Sequence, residues 1–177
     1  MIKHLKIGLD CDGVIDRFWE PYVERFGYPK SDKEITKNVQ QKLKYDKKFW
    51  TTLPVLHRPN FEPTLFCTKR TSSKTYLKEW IDINEFPIAP IYQVLYQKDN
   101  KARFVKGRID VFVDDSIDNF ISMNMSGVPC LLMDNPANEH LGPILRIHSL
   151  QQDEIEDAYY LAKEMGIFNN FNLYFEE

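Results

Sequence analysis

Short apolar runs recur along the chain, and most are separated by stretches with the spacing of an amphipathic helix. Each run is too short for a helix and lacks the strict alternation of a half-exposed strand. Runs of this kind are typical of parallel strands that are covered on both faces. The predicted strands are residues 5–9, 64–67, 91–95, 109–113 and 129–133.

Helical patterns lie between most of these runs. The predicted helices are residues 73–81, 101–106, 117–125 and 153–165. The longer two have apolar faces made of Tyr76, Leu77, Trp80 and Ile81 in one and of Ile155, Ala158, Tyr159 and Ala162 in the other. Strand and helix in alternation predict an α/β fold with a doubly wound, Rossmann-like parallel sheet.

The interval from residue 15 to 63 breaks this alternation. Apolar residues there fall at helical spacing, and Pro21 implies a kink or a late helix start; they are Ile15, Phe18, Trp19, Tyr22 and Phe26. Ser31 and Glu34 form a capping-box pattern before a second helical stretch. A connection between strand and helix normally takes a few residues, so we expect a small helical cap over 15–63, inserted into a core of 1–14 and 64–177.

Composition narrows the class of protein. The 177 residues are 43% hydrophobic and 14% aromatic, as expected for a folded globular chain. A formal charge of −3 argues against binding to duplex nucleic acid, and no apolar run reaches the roughly 18–20 residues of a membrane helix. The start of the chain lacks a signal-peptide pattern. The three cysteines of the whole sequence lie in apolar runs. We therefore expect a cytoplasmic protein with reduced thiols.

Acidic residues follow two of the predicted strands. Asp10 and Asp12 come directly after the first strand, and Asp114 and Asp115 follow a later one. Gly13 permits the chain to curl, so that the first two carboxylates can converge on one cation. Ligands bind at the carboxyl ends of strands in open α/β sheets, and oxygen-only ligands suit Mg²⁺ better than zinc or copper.

Other polar residues take similar places along the chain. Thr68 ends the second strand, where a hydroxyl and free backbone N–H groups can hold phosphoryl oxygens. Arg70 offers a charged clamp two residues later. Lys101 precedes the acidic strand and would neutralise carboxylates and phosphate oxygens, with Lys98 as the alternative lysine.

These ordered motifs resemble those of the haloacid dehalogenase superfamily over residues 6–133. The matching residues are Asp10-Cys11-Asp12-Gly13-Val14, Thr68, Lys101 and Asp114-Asp115. Within the superfamily, the sequence is similar to the cytosolic type C 5′(3′)-deoxyribonucleotidases. The segments that carry this narrower similarity are Phe49-Trp50-Thr51-Thr52-Leu53-Pro54, Cys67-Thr68-Lys69-Arg70 and Val111-Phe112-Val113-Asp114-Asp115-Ser116. Many members of that group carry an Asp shortly after Asp-Gly-Val, and in this chain Asp16 stands one position earlier than that Asp.

The resemblance implies a phosphomonoesterase with two catalytic aspartates. Asp10 would be the nucleophile that forms an aspartyl-phosphate. Asp12 would protonate the leaving group and then take a proton from the attacking water. Thr68 and Lys101 would complete the cradle for the phosphoryl group.

The resemblance also implies a Mg²⁺ site. Its ligands would be the Asp10 carboxylate, the Asp12 backbone carbonyl and the pair Asp114–Asp115, with the direct ligand of that pair left open. The metal would orient the transferring group and neutralise its charge.

The implied substrate is a nucleoside monophosphate. Trp50 and Phe18 are candidates for a flat wall against a base, and Lys69 and Arg70 are candidates for contact with the phosphate. Lysines of the insertion would steer an anion toward the site. The aromatic tail, residues 169–175, is expected to dock either on the domain or on a second copy, which leaves a homodimer open.

Other functions share part of this pattern. A phosphatase for another small metabolite, or for a 3′-phosphate end of a nucleic acid, would use the same groups. A receiver-type phosphoacceptor also uses an Asp, a Thr, a Lys and Mg²⁺, but its acidic pair precedes the lysine in the chain. A silent scaffold would keep the fold without turnover.

Overall fold

The computed structural model describes residues 4–175 and contains a six-stranded sheet in which all paired strands are parallel. The strands are β1 (Ile7–Leu9), β2 (Leu65–Thr68), β3 (Ile91–Gln93), β4 (Val111–Asp114), β5 (Cys130–Met133) and β6 (Arg146–Ile147). Their order is β3-β2-β1-β4-β5-β6. This order confirms the predicted doubly wound sheet and differs from the 2-1-3-4-5 order of receiver-type proteins.

The strands form where the sequence is continuously apolar, because helices cover both faces of the sheet. Residues of β1, β2, β4 and β5 are all buried. Gly8 allows close packing in the centre of the sheet, since a Cβ atom there would lie 2.8 Å from the Phe112 side chain. β1 pairs with β2 on one side and with β4 on the other. The chain direction across the sheet therefore reverses between β1 and β4, which is where ligands bind in this architecture.

The helices bury one face, and some of them begin at an N-cap side chain that accepts from the helix backbone. They are α1 (Trp19–Phe26), α2 (Asp32–Asn38), α3 (Lys47–Thr51), α4 (Lys74–Ile83), α5 (Ala102–Val105), α6 (Ile117–Met125), α7 (Gln152–Glu164) and α8 (Phe171–Tyr174). Ser73 caps α4 by accepting from the backbone of Thr75, and Ser116 caps α6 by accepting from the backbone of Asn119. The predicted inward faces of α4 and α7 are buried or partly buried. Within residues 4–175, no helix is both long enough and apolar enough to cross a membrane.

Three helices and one π-helical turn, Val39–Leu43, fill the interval between β1 and β2. Pro21 lies in the first turn of α1, so the proline marks a late helix start and not a kink. Ser31 caps α2, as predicted, while the Glu34 carboxylate accepts from the backbone of Lys30. Buried residues of this insertion belong to the same hydrophobic core as those of the sheet. Trp19, one of the apolar residues at helical spacing, is 43% exposed.

The aromatic tail packs against α6, which is one of its two expected positions. Phe171 and Phe175 pack on Phe120 of α6, with ring centroids 5.5 and 5.2 Å away. The aromatic tail therefore docks on its own domain. β6 was not predicted, since two residues between turns leave no apolar run to detect. The described part of the chain excludes residues 1–3 and residues 176–177. The expectation that the chain starts without a signal-peptide pattern falls on residues 1–3. All three cysteines are buried free thiols.

Candidate functional site

Two buried carboxylates lie side by side where the strand order reverses. Asp10 follows β1 and Asp114 ends β4, and the Asp10 amide donates to the Val113 carbonyl at 2.9 Å. Asp10 is 6% exposed and Asp114 is fully buried. Burial, followed by repulsion from Asp114, raises the pKa of Asp10 to about 7, although Lys101 opposes this shift.

Lys101 joins the two carboxylates. Its Nζ donates to Asp10 Oδ1 at 2.6 Å and to Asp114 Oδ2 at 2.7 Å. Burial lowers the pKa of Lys101, but the two carboxylates outweigh it and hold the pKa well above its ordinary value. Lys98 is exposed, so of the two candidate lysines it is Lys101 that contacts the acidic cluster.

A third carboxylate completes a group that suits a hard cation. Asp10, Asp114 and Asp115 offer oxygen atoms that all lie within 4.8 Å of one another. Burial, then Asp10 and Asp114, raise the pKa of Asp115 well above its ordinary value. When all three carboxyl groups are ionised, the one ammonium compensates only part of their negative charge. An all-oxygen donor set with surplus negative charge fits Mg²⁺ by its chemistry.

Asp115 occupies the space that a side chain at position 13 would need. Gly13 has φ +77°, and a Cβ atom there would lie 2.1 Å from Asp115 Oδ2. The glycine is therefore required both by the backbone conformation and by the approach of this carboxylate.

Asparagine side chains orient the acidic group, and sequence reasoning missed them. Asn135 donates to Asp115 Oδ2 at 3.1 Å, and Asn138 donates to the Asp115 carbonyl at 3.0 Å. Asn119 of α6 lies 3.4 Å from Asp114 Oδ1. Asn135 and Asn138 follow β5, so the rule that found the aspartates at strand ends would have found them too.

Asp12 belongs to a different group of charges. Arg70 donates to Asp12 Oδ1 at 2.6 Å and to Asp16 Oδ2 at 2.7 Å through the same nitrogen, Nη2. The side chains of Arg70 and Asp16 are 1% and 0% exposed, whereas that of Asp12 is 26% exposed. Burial, then the Asp12 charge, raise the pKa of Asp16 well above its ordinary value. The predicted contribution of Asp12 to the metal site was its backbone carbonyl, and that stays a prediction.

Thr68 and Lys69 lie at the end of β2, beside the acidic cluster. Thr68 is buried, and its Oγ1 accepts from the Arg70 amide at 3.1 Å. Lys69 is half-buried and donates to the Gln97 carbonyl at 2.9 Å. Burial, then the positive charge of Lys101, lower the pKa of Lys69.

Of the two aromatic residues proposed for contact with a base, Trp50 is buried and Phe18 is partly buried. Trp50 is 1% exposed, and its indole N–H donates to the Leu43 carbonyl at 2.7 Å. Phe18 stacks on Trp50 with centroids 5.8 Å apart, and the Arg70 guanidinium lies 4.5 Å from the Trp50 centroid. Trp50 therefore has no free ring face for a base in this conformation. Arg70 is likewise not placed as a phosphate clamp in this structure, because its side chain is buried against two carboxylates.

Comparison with known proteins adds no family to this description. No protein family model and no curated protein sequence matches the chain significantly.

Proposed function

We propose that the chain is a magnesium-dependent phosphomonoesterase that works through an aspartyl-phosphate on Asp10. One observation carries the proposal. A carboxylate at the carboxyl end of the central strand β1 is held by a buried lysine and lies within 4.8 Å of two further carboxylates. The proposal agrees with the resemblance of the motifs to the haloacid dehalogenase superfamily.

The proposed transfer to the protein uses Asp10 and Asp12. Lys101 binds Oδ1 of Asp10, which leaves Oδ2 to attack phosphorus. The bond from Oδ2 to phosphorus forms while the bond from phosphorus to the leaving oxygen breaks. The Asp12 carboxyl gives its proton to that leaving oxygen, so the alcohol departs neutral.

The return step restores the protein. Asp12, now a carboxylate, takes a proton from water as the water oxygen bonds to phosphorus. The bond between phosphorus and Asp10 then breaks, and inorganic phosphate leaves. Lys101 remains bound to Asp10 and Asp114 and offsets part of the negative charge in both steps.

Asp10, Asp114 and Asp115 are the residues that would hold Mg²⁺. When bound, Mg²⁺ would neutralise charge on the phosphoryl oxygens and align them with Asp10. The three inserted helices would act as a small cap beside this site. Buried, reduced thiols in this chain agree with a cytoplasmic location, which is part of the proposal.

We propose nucleoside monophosphates as the substrate class. The exposed face of the insertion carries Lys33, Lys37, Lys42, Lys47 and Lys48, which would attract an anionic substrate at low salt. The buried position of Trp50 removes one argument for a base-stacking contact. Other small phosphate esters and 3′-phosphate ends therefore belong in the same test.

The test is phosphate release with Mg²⁺ from nucleoside 5′- and 3′-monophosphates, sugar phosphates and a 3′-phosphorylated oligonucleotide, with Asp10→Asn as the blank. We expect turnover that Asp10→Asn and chelation by EDTA both abolish, with nucleoside monophosphates preferred. Turnover confined to another substrate would overturn the substrate class alone. Turnover that survives EDTA would overturn the metal assignment. Absence of turnover on every substrate would overturn the proposal that the chain is an enzyme.

A further inference from the structure

Arg70 lies between two carboxylates, Asp12 and Asp16, and of these three side chains only that of Asp12 is partly exposed. Its side chain is 1% exposed, and its Nη2 contacts both Asp12 and Asp16. Of the three side chains, only that of Asp12 has an exposed fraction large enough to meet a substrate, at 26%. Arg70 and Asp16 therefore reach the reaction only through Asp12.

The position of Arg70 is fixed from three sides. Its amide donates to Thr68 Oγ1 at 3.1 Å, and its carbonyl accepts from Gln93 Nε2 at 2.7 Å. Its guanidinium lies over the ring of Trp50, which is itself anchored by its hydrogen bond to Leu43. The inserted helices thus set the place of the guanidinium, because Trp50 belongs to α3.

Asp16 closes the loop that carries Asp12. The Asp16 carbonyl accepts from the Gly13 amide at 2.9 Å, so the segment after β1 folds back on itself. The Asp16 carboxylate, which is fully buried, also binds Arg70 Nη2. A short loop and an anchored guanidinium hold the Asp12 carboxylate at 2.6 Å from Nη2, with Arg70 Nε 3.4 Å from its second oxygen.

We propose that Arg70 is a positioning residue that acts through Asp12, held in place by Asp16 and Trp50, and that it is not a clamp for the substrate phosphate. This inference rests on the proposed function, in which Asp12 moves the proton in both steps. Asp12 must lie within reach of the leaving oxygen in the first step and of water in the second. The guanidinium fixes its carboxylate for both.

The effect of losing Arg70 should depend on the leaving group. An alkyl phosphate needs a proton on its leaving oxygen, whereas p-nitrophenolate is stable enough to depart without one. The kinetic constant kcat/KM covers the steps up to departure of the leaving group. Loss of Arg70 should therefore reduce kcat/KM for alkyl phosphates. It should leave kcat/KM nearly unchanged for p-nitrophenyl phosphate. A lost phosphate clamp would instead lower kcat/KM for both substrates equally.

The variants are Arg70→Gln, Arg70→Lys, Asp16→Asn and Asp12→Asn, with Arg17→Gln as the matched control. Arg17 is an exposed arginine whose guanidinium pairs with Glu20. Far-ultraviolet circular dichroism and thermal melts check folding. Should the Arg70 variants fail to fold, Asp16→Asn carries the test, since it changes one buried contact of Arg70 and is nearly isosteric.

We expect Asp12→Asn to lower kcat/KM for an alkyl phosphate by about 10²–10⁴-fold and Arg70→Gln by about 10–100-fold. Asp16→Asn should follow Arg70→Gln in direction, and Arg17→Gln should match the wild type. For p-nitrophenyl phosphate, Asp12→Asn and Arg70→Gln should both lose about threefold or less in kcat/KM. They should also release p-nitrophenol in a burst, because slower water attack leaves the phosphorylated protein to accumulate.

Three results would overturn the inference in distinguishable ways. An equal loss for both leaving groups in the Arg70 variants would assign Arg70 to phosphate binding. A strong leaving-group effect in Asp12→Asn with none in the Arg70 and Asp16 variants would make the buried charges merely structural. Absence of the effect in Asp12→Asn itself would remove the proposed role of Asp12, and the inference with it.

Discussion

The contact between Gly13 and Asp115 gives a sharp prediction for Gly13→Ala. The new Cβ atom would lie 2.1 Å from Asp115 Oδ2, where ordinary contact begins at 3.4 Å. Asp115 Oδ2 must therefore move by about 1.3 Å to reach ordinary contact, and a misplacement of about 1 Å can lower a rate roughly 100-fold. The atom that moves is the one that accepts from Asn135, so that hydrogen bond also breaks.

The expected effect divides into two measurable parts. An alanine with φ near +77° costs about 1 kcal/mol of folding stability, after the entropy gained from removing a glycine. Displacement of Asp115 from the group of three carboxylates should weaken Mg²⁺ binding by about 10–100-fold. Urea unfolding measures the first part, and titration calorimetry with Mg²⁺ measures the second.

Gly107→Ala is the matched control. Gly107 has nearly the same φ, +79°, but a Cβ atom there meets nothing within 4 Å. It should show the backbone cost without any loss of Mg²⁺ affinity or phosphate release. If Gly13→Ala kept the Mg²⁺ affinity of Gly107→Ala, the place assigned to Asp115 in the metal site would be refuted.

Variants at two further positions test the charges of the fold. Lys101→Met leaves Asp10 and Asp114 buried without their partner, so it should cost about 3–5 kcal/mol in urea unfolding at neutral pH. Saturating Mg²⁺ should recover part of this loss, and a cost below about 1 kcal/mol would contradict the buried pairing. Asp46→Ala removes the N-cap of α3 and should cost about 1 kcal/mol, while Asp46→Asn should cost less. The backbone amide of Phe49, then the Arg25 guanidinium, lower the pKa of Asp46 in the folded protein. The Asp46 charge therefore stabilises the fold at a pH above the ordinary pKa of 3.8. This contribution disappears as the pH falls through the lower pKa of the folded state. A stability difference between wild type and Asp46→Asn that does not shrink below that pH would contradict the assignment.

The sheet could be predicted from sequence because its strands are buried on both faces. Residues 117–125 were predicted as a helix and form α6, whose start is marked by Ser116. The strand at 129–133 appears as β5, one residue shorter. β6 could not be predicted, since two residues carry no periodicity.

The site was predictable where chemistry follows the strands and not where it depends on contacts distant in sequence. Asp10 and Asp114 meet because parallel strands bring their carboxyl ends together, and Lys101 lies directly before α5. The pairing of Arg70 with Asp16 spans 54 positions and leaves no local signal. For the same reason, the aromatic pattern could not reveal that Trp50 faces Arg70 and Phe18 inside the fold.

The most direct test of the central claim is to locate the phosphoryl group on the protein. Asp12→Asn should slow attack by water more than transfer to Asp10 when the leaving group is good. Mixing it with p-nitrophenyl phosphate and Mg²⁺, quenching in acid and mapping peptides by mass spectrometry should find one phosphoryl group on Asp10. The double variant that also carries Asp10→Asn should show none. Phosphate release by the wild type without a phosphorylated Asp10 in the trapped variant would contradict the account.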